Sequence, residues 1–269
     1  DQFAGAATLS PEGCDLLAGG GVVGQLEVRN GRMSAPTHLV PLGRILDEAG
    51  VPLTLARYAR PRAAPGRPDT VIGVVGTGMN SGKTTAAAAL IRGLTAAGIR
   101  TAGLKATGTG SFGDMQAYED AGAAFMADFT DDGLASTYRQ PLSRVTATLD
   151  ALLGHAAARA CEIAVVEIAD GLLQPETAAI LTDGGVRARF DGFLFAAGDA
   201  LSALGGLATL ERFGCRTLAV TGLITRAPLA VAEFTAASDA WVLDRDRLAD
   251  PAAATALRAQ ARISGLGGV

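Results

Sequence analysis

Val71-Ile72-Gly73-Val74-Val75 runs directly into Gly76-Thr77-Gly78-Met79-Asn80-Ser81-Gly82-Lys83-Thr84-Thr85, and then into good helix formers through residue 96. A Val-rich strand, a glycine loop and a helix start in that order are the setting of a phosphate-binding loop. The glycines let the backbone curl until its N–H groups point inward, and the helix N-terminus adds partial positive charge. Lys83 is placed to reach the β and γ phosphates, and the Thr84 hydroxyl can ligate Mg²⁺. The spacing departs from G-x-x-x-x-G-K-T, because Thr77 stands where the first Gly belongs and Gly76 lies one position earlier. A glycine turn that merely starts a helix does not account for Gly-Lys-Thr-Thr after such a strand.

Around this loop, short apolar runs alternate with longer Ala-rich segments. Strands are expected over 71–75, 100–104, 163–167, 192–196, 217–221 and 240–243, and helices over 84–96, 114–128, 144–160, 201–212, 229–236 and 251–262. Gly98 and Gly214 are plausible helix stops. The alternation predicts an α/β fold, a mostly parallel sheet with helices on both faces. Ligands of open parallel sheets bind beyond the carboxyl ends of the strands. Residues 76–85, 105–110, 167–171, Gly198-Asp199 and 222–225 each follow an expected strand, so they should line one crevice.

Ahead of this domain, ARPRAAPGRPDT over 59–70 carries prolines at 61, 65 and 68 without apolar periodicity. That is linker chemistry. The expected organisation is therefore a small N-terminal α+β module over 1–59, a Pro/Arg-rich linker over 60–70 and a nucleotide-binding domain over 71–269. The module reads as ββαβ: a hairpin of 22–28 and 33–40 about Asn30-Gly31, a helix over 42–49 ended by Gly50, and a last apolar run over 51–58.

Hydrophobic residues are 49% and charged residues 19% of the chain, which is globular composition. With 23 Lys+Arg against 27 Asp+Glu the net charge is -4, and nothing electrostatic argues for nucleic acid or an anionic membrane surface. Apolar stretches fall well short of the roughly 18 residues of a membrane span. A small-molecule substrate is thus the expected partner. Cys14, Cys161 and Cys215 are scattered, odd in number and without C-x-x-C spacing, so neither a disulfide framework nor a zinc cluster is expected, and a reducing cytoplasm fits. His38, His155 and Trp241 read as structural, and Ser202 after Gly198-Asp199 as part of a helix cap.

The loop from Gly76 to Thr84 resembles the modified phosphate loop of dethiobiotin synthetases, within the SIMIBI-type group that also contains partitioning ATPases and metallochaperone GTPases. Gly103-Leu104-Lys105-Ala106-Thr107-Gly108-Thr109-Gly110 is similar to that family's G-x-K-P-x-x-S-G segment, with Ala106 for Pro and Thr109 for Ser. Val165-Val166-Glu167-Ile168-Ala169-Asp170-Gly171-Leu172 is similar to V-E-G-A-G-G, with Ile168 and Asp170 in place of two glycines. The likeness covers residues 71–225 and excludes the N-terminal module.

The resemblance implies Mg-ATP held on Gly76, Thr77, Gly78, Asn80, Ser81, Gly82, Lys83, Thr84 and Thr85. It implies a metal held by Thr84, an acid near the start of the second crossover, and Glu167. Asp114 suits the middle acid by loop placement, Asp120 is its alternative, and Asp170 competes with Glu167. Lys105 at a strand end would be costly to bury without an anion; in the family this lysine supports the phosphoryl and carboxylate groups. Lys83, Lys105 and Thr109, the last in the place of a substrate-contacting serine, form the implied catalytic set. Thr225 lies where the family has an Asn on the adenine, and a hydroxyl cannot present both amide donor and acceptor.

The implied function is an ATP- and Mg²⁺-dependent ligase-like enzyme that activates a small-molecule carboxylate or carbamate by phosphoryl transfer and releases ADP and phosphate. Two alternatives stand beside it: a nucleotide-switched ATPase or GTPase acting on a partner protein, and a small-molecule kinase. Thr77-Gly78 offers no lysine near the loop start, as signature-lysine partitioning ATPases would, and no Cys or His ligands mark a metallochaperone. The resemblance also admits a homodimer.

Overall fold

The computed structural model describes residues 3–263; residues 1–2 and 264–269, the outer ends of the two expected domains, lie outside the described residues. Four short strands come first: β1 (Phe3–Ala6), β2 (Cys14–Ala18), β3 (Val22–Arg29) and β4 (His38–Leu39), in the order β1-β3-β2-β4 with every pair antiparallel. The hairpin expected about Asn30-Gly31 is not the one that forms. The tight turn lies at Gly19-Gly20-Gly21, where Gly21 takes a φ of +84° and donates its N–H to Ala18 O at 3.1 Å, so β3 pairs with β2. The Asn30 side chain instead accepts from Arg32 N at 3.0 Å, closing a local turn that sends residues 33–40 across to β2.

No helix forms over 42–49; an isolated bridge joins Leu46 to Pro52, and a 3₁₀ turn covers Leu55–Tyr58. The expected ββαβ module is therefore a small antiparallel sheet followed by irregular chain. Leu42, Ile45 and Leu46 are exposed, so no packing stabilises a helix there against the ordering cost.

The proline-rich stretch is pinned rather than free. Arg60 pairs with Asp131 at 2.7 Å, and Arg67 grips both oxygens of Asp191 at 3.0 Å, while Asp191 also accepts Val71 N at 2.7 Å.

Beyond it the elements run β5 (Thr70–Gly76), α1 (Lys83–Ala96), β6 (Thr101–Lys105), α2 (Phe112–Asp120), β7 (Phe125–Asp128), α3 (Leu142–Ala158), β8 (Ile163–Glu167), α4 (Pro175–Thr182), α5 (Gly184–Arg187), β9 (Gly192–Ala196), α6 (Ala200–Arg212), β10 (Thr217–Thr221), α7 (Pro228–Thr235), α8 (Arg245–Ala249) and α9 (Pro251–Arg262). The strands form one parallel sheet in the order β10-β9-β5-β8-β6-β7. Helices cover both faces. One core cluster joins the sheet to α3, α4, α5, α6 and α7 through Leu149, Ile180, Val186, Leu210 and Phe234. The other joins it to α1, α2, α8 and α9 through Leu90, Tyr118, Leu248 and Leu257. This is the α/β architecture the alternation predicts, with a small antiparallel sheet at its N-terminal side.

α4, α5 and α8 are not among the expected helices, and two expected elements change. The long helix expected over 114–128 stops at Asp120, where Gly122 takes a φ of +88°, and the chain re-enters the sheet as β7. The last strand expected over 240–243 shrinks to one parallel bridge, Val220 to Val242. Its hydrogen bonds are Val220 N to Trp241 O at 2.8 Å and Leu243 N to Val220 O at 2.9 Å, after which Asp244 caps α8.

Candidate functional site

The loop between β5 and α1 closes because several backbones approach too closely for side chains. A Cβ on Gly76 would lie 2.2 Å from Ser81 Oγ and 2.9 Å from Lys83 Cγ. Gly222, after β10, has a φ of +95°, and a Cβ there would stand 2.4 Å from Ser81 O; its neighbour Leu223 donates its N–H to that same oxygen at 3.1 Å. Gly171, after β8, approaches from the other side, with room for no Cβ beside Thr77 O at 2.7 Å. Asn80 and Gly82 take left-handed φ of 63° and 103° and turn the chain into α1. Thr77 N donates to Ala196 O at 3.0 Å and Leu172 N to Gly76 O at 3.1 Å, so the ends of β8, β9 and β10 brace the loop.

Within this cradle Lys83 is 6% exposed, and its ammonium donates to Gly78 O at 2.8 Å, across the mouth of its own loop. Burial pushes its pKa below the ordinary lysine value; the nearby carboxylates of Glu167, Asp170 and Asp114 work against that, and Lys105 adds to it. An anion in the loop would restore the stability of the charged form. The Thr84 hydroxyl faces two carboxylates, Glu167 Oε2 at 3.0 Å and Asp114 Oδ1 at 3.3 Å. Ser81 Oγ is buried without a hydrogen-bond partner, a polar group left for something the loop would hold.

The strand register assembles the rest. Lys105, Glu167 and Val74 share one level across β6, β8 and β5, and Lys105 forms a direct ion pair with Asp114. Asp114 sits in the first turn of α2; Asp120 is exposed at its far end and bonded to Gln116, so of the two acids only Asp114 reaches the loop. Thr84 likewise bonds Glu167 and not Asp170, which lies near enough to act on Lys83 through space. Thr85, in the first turn of α1, is exposed.

Thr109 and Thr225 stand apart from this cluster. Thr109 forms an isolated bridge with Ser136, and Thr225 turns its hydroxyl back onto Gly222 O at 2.8 Å. His38, Ser202 and the cysteines are elsewhere: Asp199 and Ser202 make a capping box on α6, and the three thiols are buried and free. Burial raises the Cys215 thiol to about 11.

Sequence reading missed Tyr118. It is fully buried, and its hydroxyl donates to Glu167 Oε2 at 2.6 Å. Its only sequence signal is its spacing, four residues after Asp114 on one helix face.

The donor set suits Mg²⁺. A hydroxyl and one or two carboxylates, with phosphate oxygens and waters completing the shell, is how that ion binds in phosphoryl-transfer sites. No cluster of three or more His, Cys, Asp or Glu able to hold a metal by itself occurs among the described residues.

No family model matches the chain, and no curated protein matches it. Solved structures do. The signal recognition particle receptor FtsY from Elizabethkingia anophelis matches at 16% identity with a TM-score of 0.45, over 68% of this chain and 59% of that one. The signal recognition particle 54 kDa protein from Aeropyrum pernix, in complex with GDP, matches at 22% identity with a TM-score of 0.44, over 76% and 48%. FtsY from Thermotoga maritima matches at 18% identity with a TM-score of 0.36, over 78% and 65%. This chain thus spans only 59% of the first of them. What the structure itself shows is the fold: a parallel sheet with helices on both faces and a P-loop-like glycine turn between β5 and α1.

The finer expectation is corrected. The named neighbours are signal recognition particle proteins and receptors rather than ligases. In the structure Lys105 is paired with Asp114. Open cavities of about 220 and 260 Å³ lie beside α3 and α4 and under the N-terminal sheet. A small-molecule carboxylate or carbamate as substrate is therefore withdrawn, and with it the ligase assignment.

Proposed function

We propose that this chain is a Mg²⁺-dependent nucleoside triphosphatase whose nucleotide state is read by a partner protein. The observation that carries it is the Thr84 hydroxyl, shared by Asp114 and Glu167 at the start of α1, one residue after the buried Lys83. Lys83 would exchange Gly78 O for phosphate oxygens, and the inward N–H groups of the loop would cradle them. Thr84, Asp114 and Glu167 would hold Mg²⁺ directly or through water, and the bound ion would supply charge neutralisation across the phosphate oxygens. Lys105 then holds Asp114 in place. The chain contributes positioning and electrostatics, and no covalent nucleophile is needed.

Support for a switch comes from how Asp114 is connected. The segment entering α2 passes under the N-terminal sheet, where Gly20 meets Gly110 so closely that a Cβ on Gly20 would stand 2.1 Å from Gly110 O. Movement of Asp114 toward or away from a metal at the loop would pass along residues 110–114 to the β2–β3 turn. A partner protein that docks on the N-terminal sheet could sense it. ATP is the nucleotide expected from the sequence and GTP its competitor, because Thr225 is committed to its own turn.

The test is phosphate release from ATP and from GTP, with and without Mg²⁺, beside hydrogen exchange in the diphosphate and non-hydrolysable triphosphate states. Hydrolysis of one nucleotide, with altered protection over residues 106–120 and at the Gly19–Gly21 turn, is the expected result. Hydrolysis with identical protection in the two states removes the switch and leaves a bare triphosphatase.

A further inference from the structure

Glu167 Oε2 is asked to accept two hydrogen bonds, from Thr84 Oγ1 at 3.0 Å and Tyr118 OH at 2.6 Å. Thr84 has one hydroxyl proton and two candidate acceptors, Glu167 and Asp114, so it cannot serve both fully. Tyr118 has no such choice. It is completely buried on α2, and Glu167 is the acceptor its hydroxyl reaches. Room for its ring is built into the sheet: a Cβ on Gly103 of β6 would lie 2.9 Å from Tyr118 Cβ and Cγ.

We infer that Tyr118 is a positioning residue for the metal site, its hydroxyl holding the same Glu167 oxygen that Thr84 contacts and so fixing that carboxylate beside the start of α1. The inference rests on the proposed Mg-nucleotide function. It also ties the two acids together, since Asp114 and Tyr118 lie one helical turn apart on α2 and act on the same threonine, the first directly and the second through Glu167. A buried carboxylate with a fixed rotamer loses less entropy on taking a metal than one free to turn.

The experiment titrates Mg²⁺ into the protein with a fluorescent nucleoside diphosphate bound, a readout of binding and not of turnover. Tyr118→Phe is expected to raise the half-saturating Mg²⁺ concentration about 10-fold or more, while nucleotide affinity in EDTA stays within about twofold of wild type. In a Glu167→Gln background the same substitution should add nothing. An equal shift in both backgrounds, or no shift in either, overturns the positioning role. A wild-type chain that binds no nucleotide overturns the functional reading first and this inference with it. A second measurement needs no variant: the buried Tyr118 hydroxyl proton should give a slowly exchanging proton resonance that moves when Mg²⁺ joins the nucleotide. An immobile resonance on saturation with Mg²⁺ counts against it.

Discussion

β5 and β3 are strands of seven and eight residues, yet every residue of β5 is buried while β3 buries only Gly24. The difference lies in what covers them. β5 sits in the middle of a parallel sheet with helices on both faces, and Val71, Ile72, Val74 and Val75 all have zero exposure. β3 belongs to a single antiparallel layer followed by chain that leaves Val40, Leu42, Ile45 and Val51 exposed. Rigid placement of Thr84, Glu167 and Lys105 needs the first kind of support, because each stands at the end of a strand or the start of a helix held by packing from two sides. The turn between β2 and β3 meets the segment entering α2 where Gly20 approaches Gly110.

The sharpest way to break this contrast is at the loop. Lys83→Ala is expected to lower nucleotide turnover by about 10²-fold or more, by removal of a charge aimed at the phosphates, with phosphate release as the measurement. Full activity in that variant would remove the whole assignment.

Next come paired truncations in the two regions. Leu149→Ala, in the core beneath the large sheet, should cost about 2–5 kcal/mol in urea unfolding, and Leu42→Ala, almost wholly exposed, should stay within about 0.5 kcal/mol. Comparable losses would mean that the N-terminal stretch is covered in solution and that the two regions are not as unlike as they look.

Gly222→Ala combines a positive φ with a Cβ 2.4 Å from Ser81 O. A loss of about 1–3 kcal/mol is expected, together with weaker nucleotide binding. Unchanged stability would show that the loop can yield where its backbones meet.

The smallest effect is a pH dependence at the seam between the regions. Burial holds the His155 pKa below the ordinary histidine value of 6.5, helped by Arg159 and by Arg60 from the proline-rich stretch, and opposed by Asp131 and Asp132. Below 6.5 the unfolded imidazole takes a proton that the native one resists, so stability is present at neutral pH and falls as pH drops toward the lowered native value. His155→Leu should flatten the decline of melting temperature over that window. An unchanged slope would place the titration elsewhere.

Much of this was legible in residue order. Strand, glycine loop and Gly-Lys-Thr-Thr are local chemistry, and their carboxyl-end neighbours in the sheet followed from the alternation of apolar runs and Ala-rich helices. Residue order favoured Asp114 by loop placement but left Asp120 as an alternative; in the structure Asp114 contacts Thr84 and Asp120 is exposed at the far end of α2. Other features were not legible. The break of α2 before β7 depends on Phe125 and Ala127 finding a sheet edge, which outweighs the helical propensity of the stretch. The helix expected over 42–49 had its apolar residues but nothing to bury them against.

The sequence by itself therefore determined that a phosphate loop is present, that a parallel sheet carries it, and which lysine and threonine start its helix, because those depend on neighbours along the chain. Tertiary structure alone decided that Lys105 meets Asp114, that Thr84 is shared between two carboxylates, and that Tyr118 reaches Glu167 from 49 residues away. Strand order and register bring those groups together, and neither is encoded in any short stretch of residues.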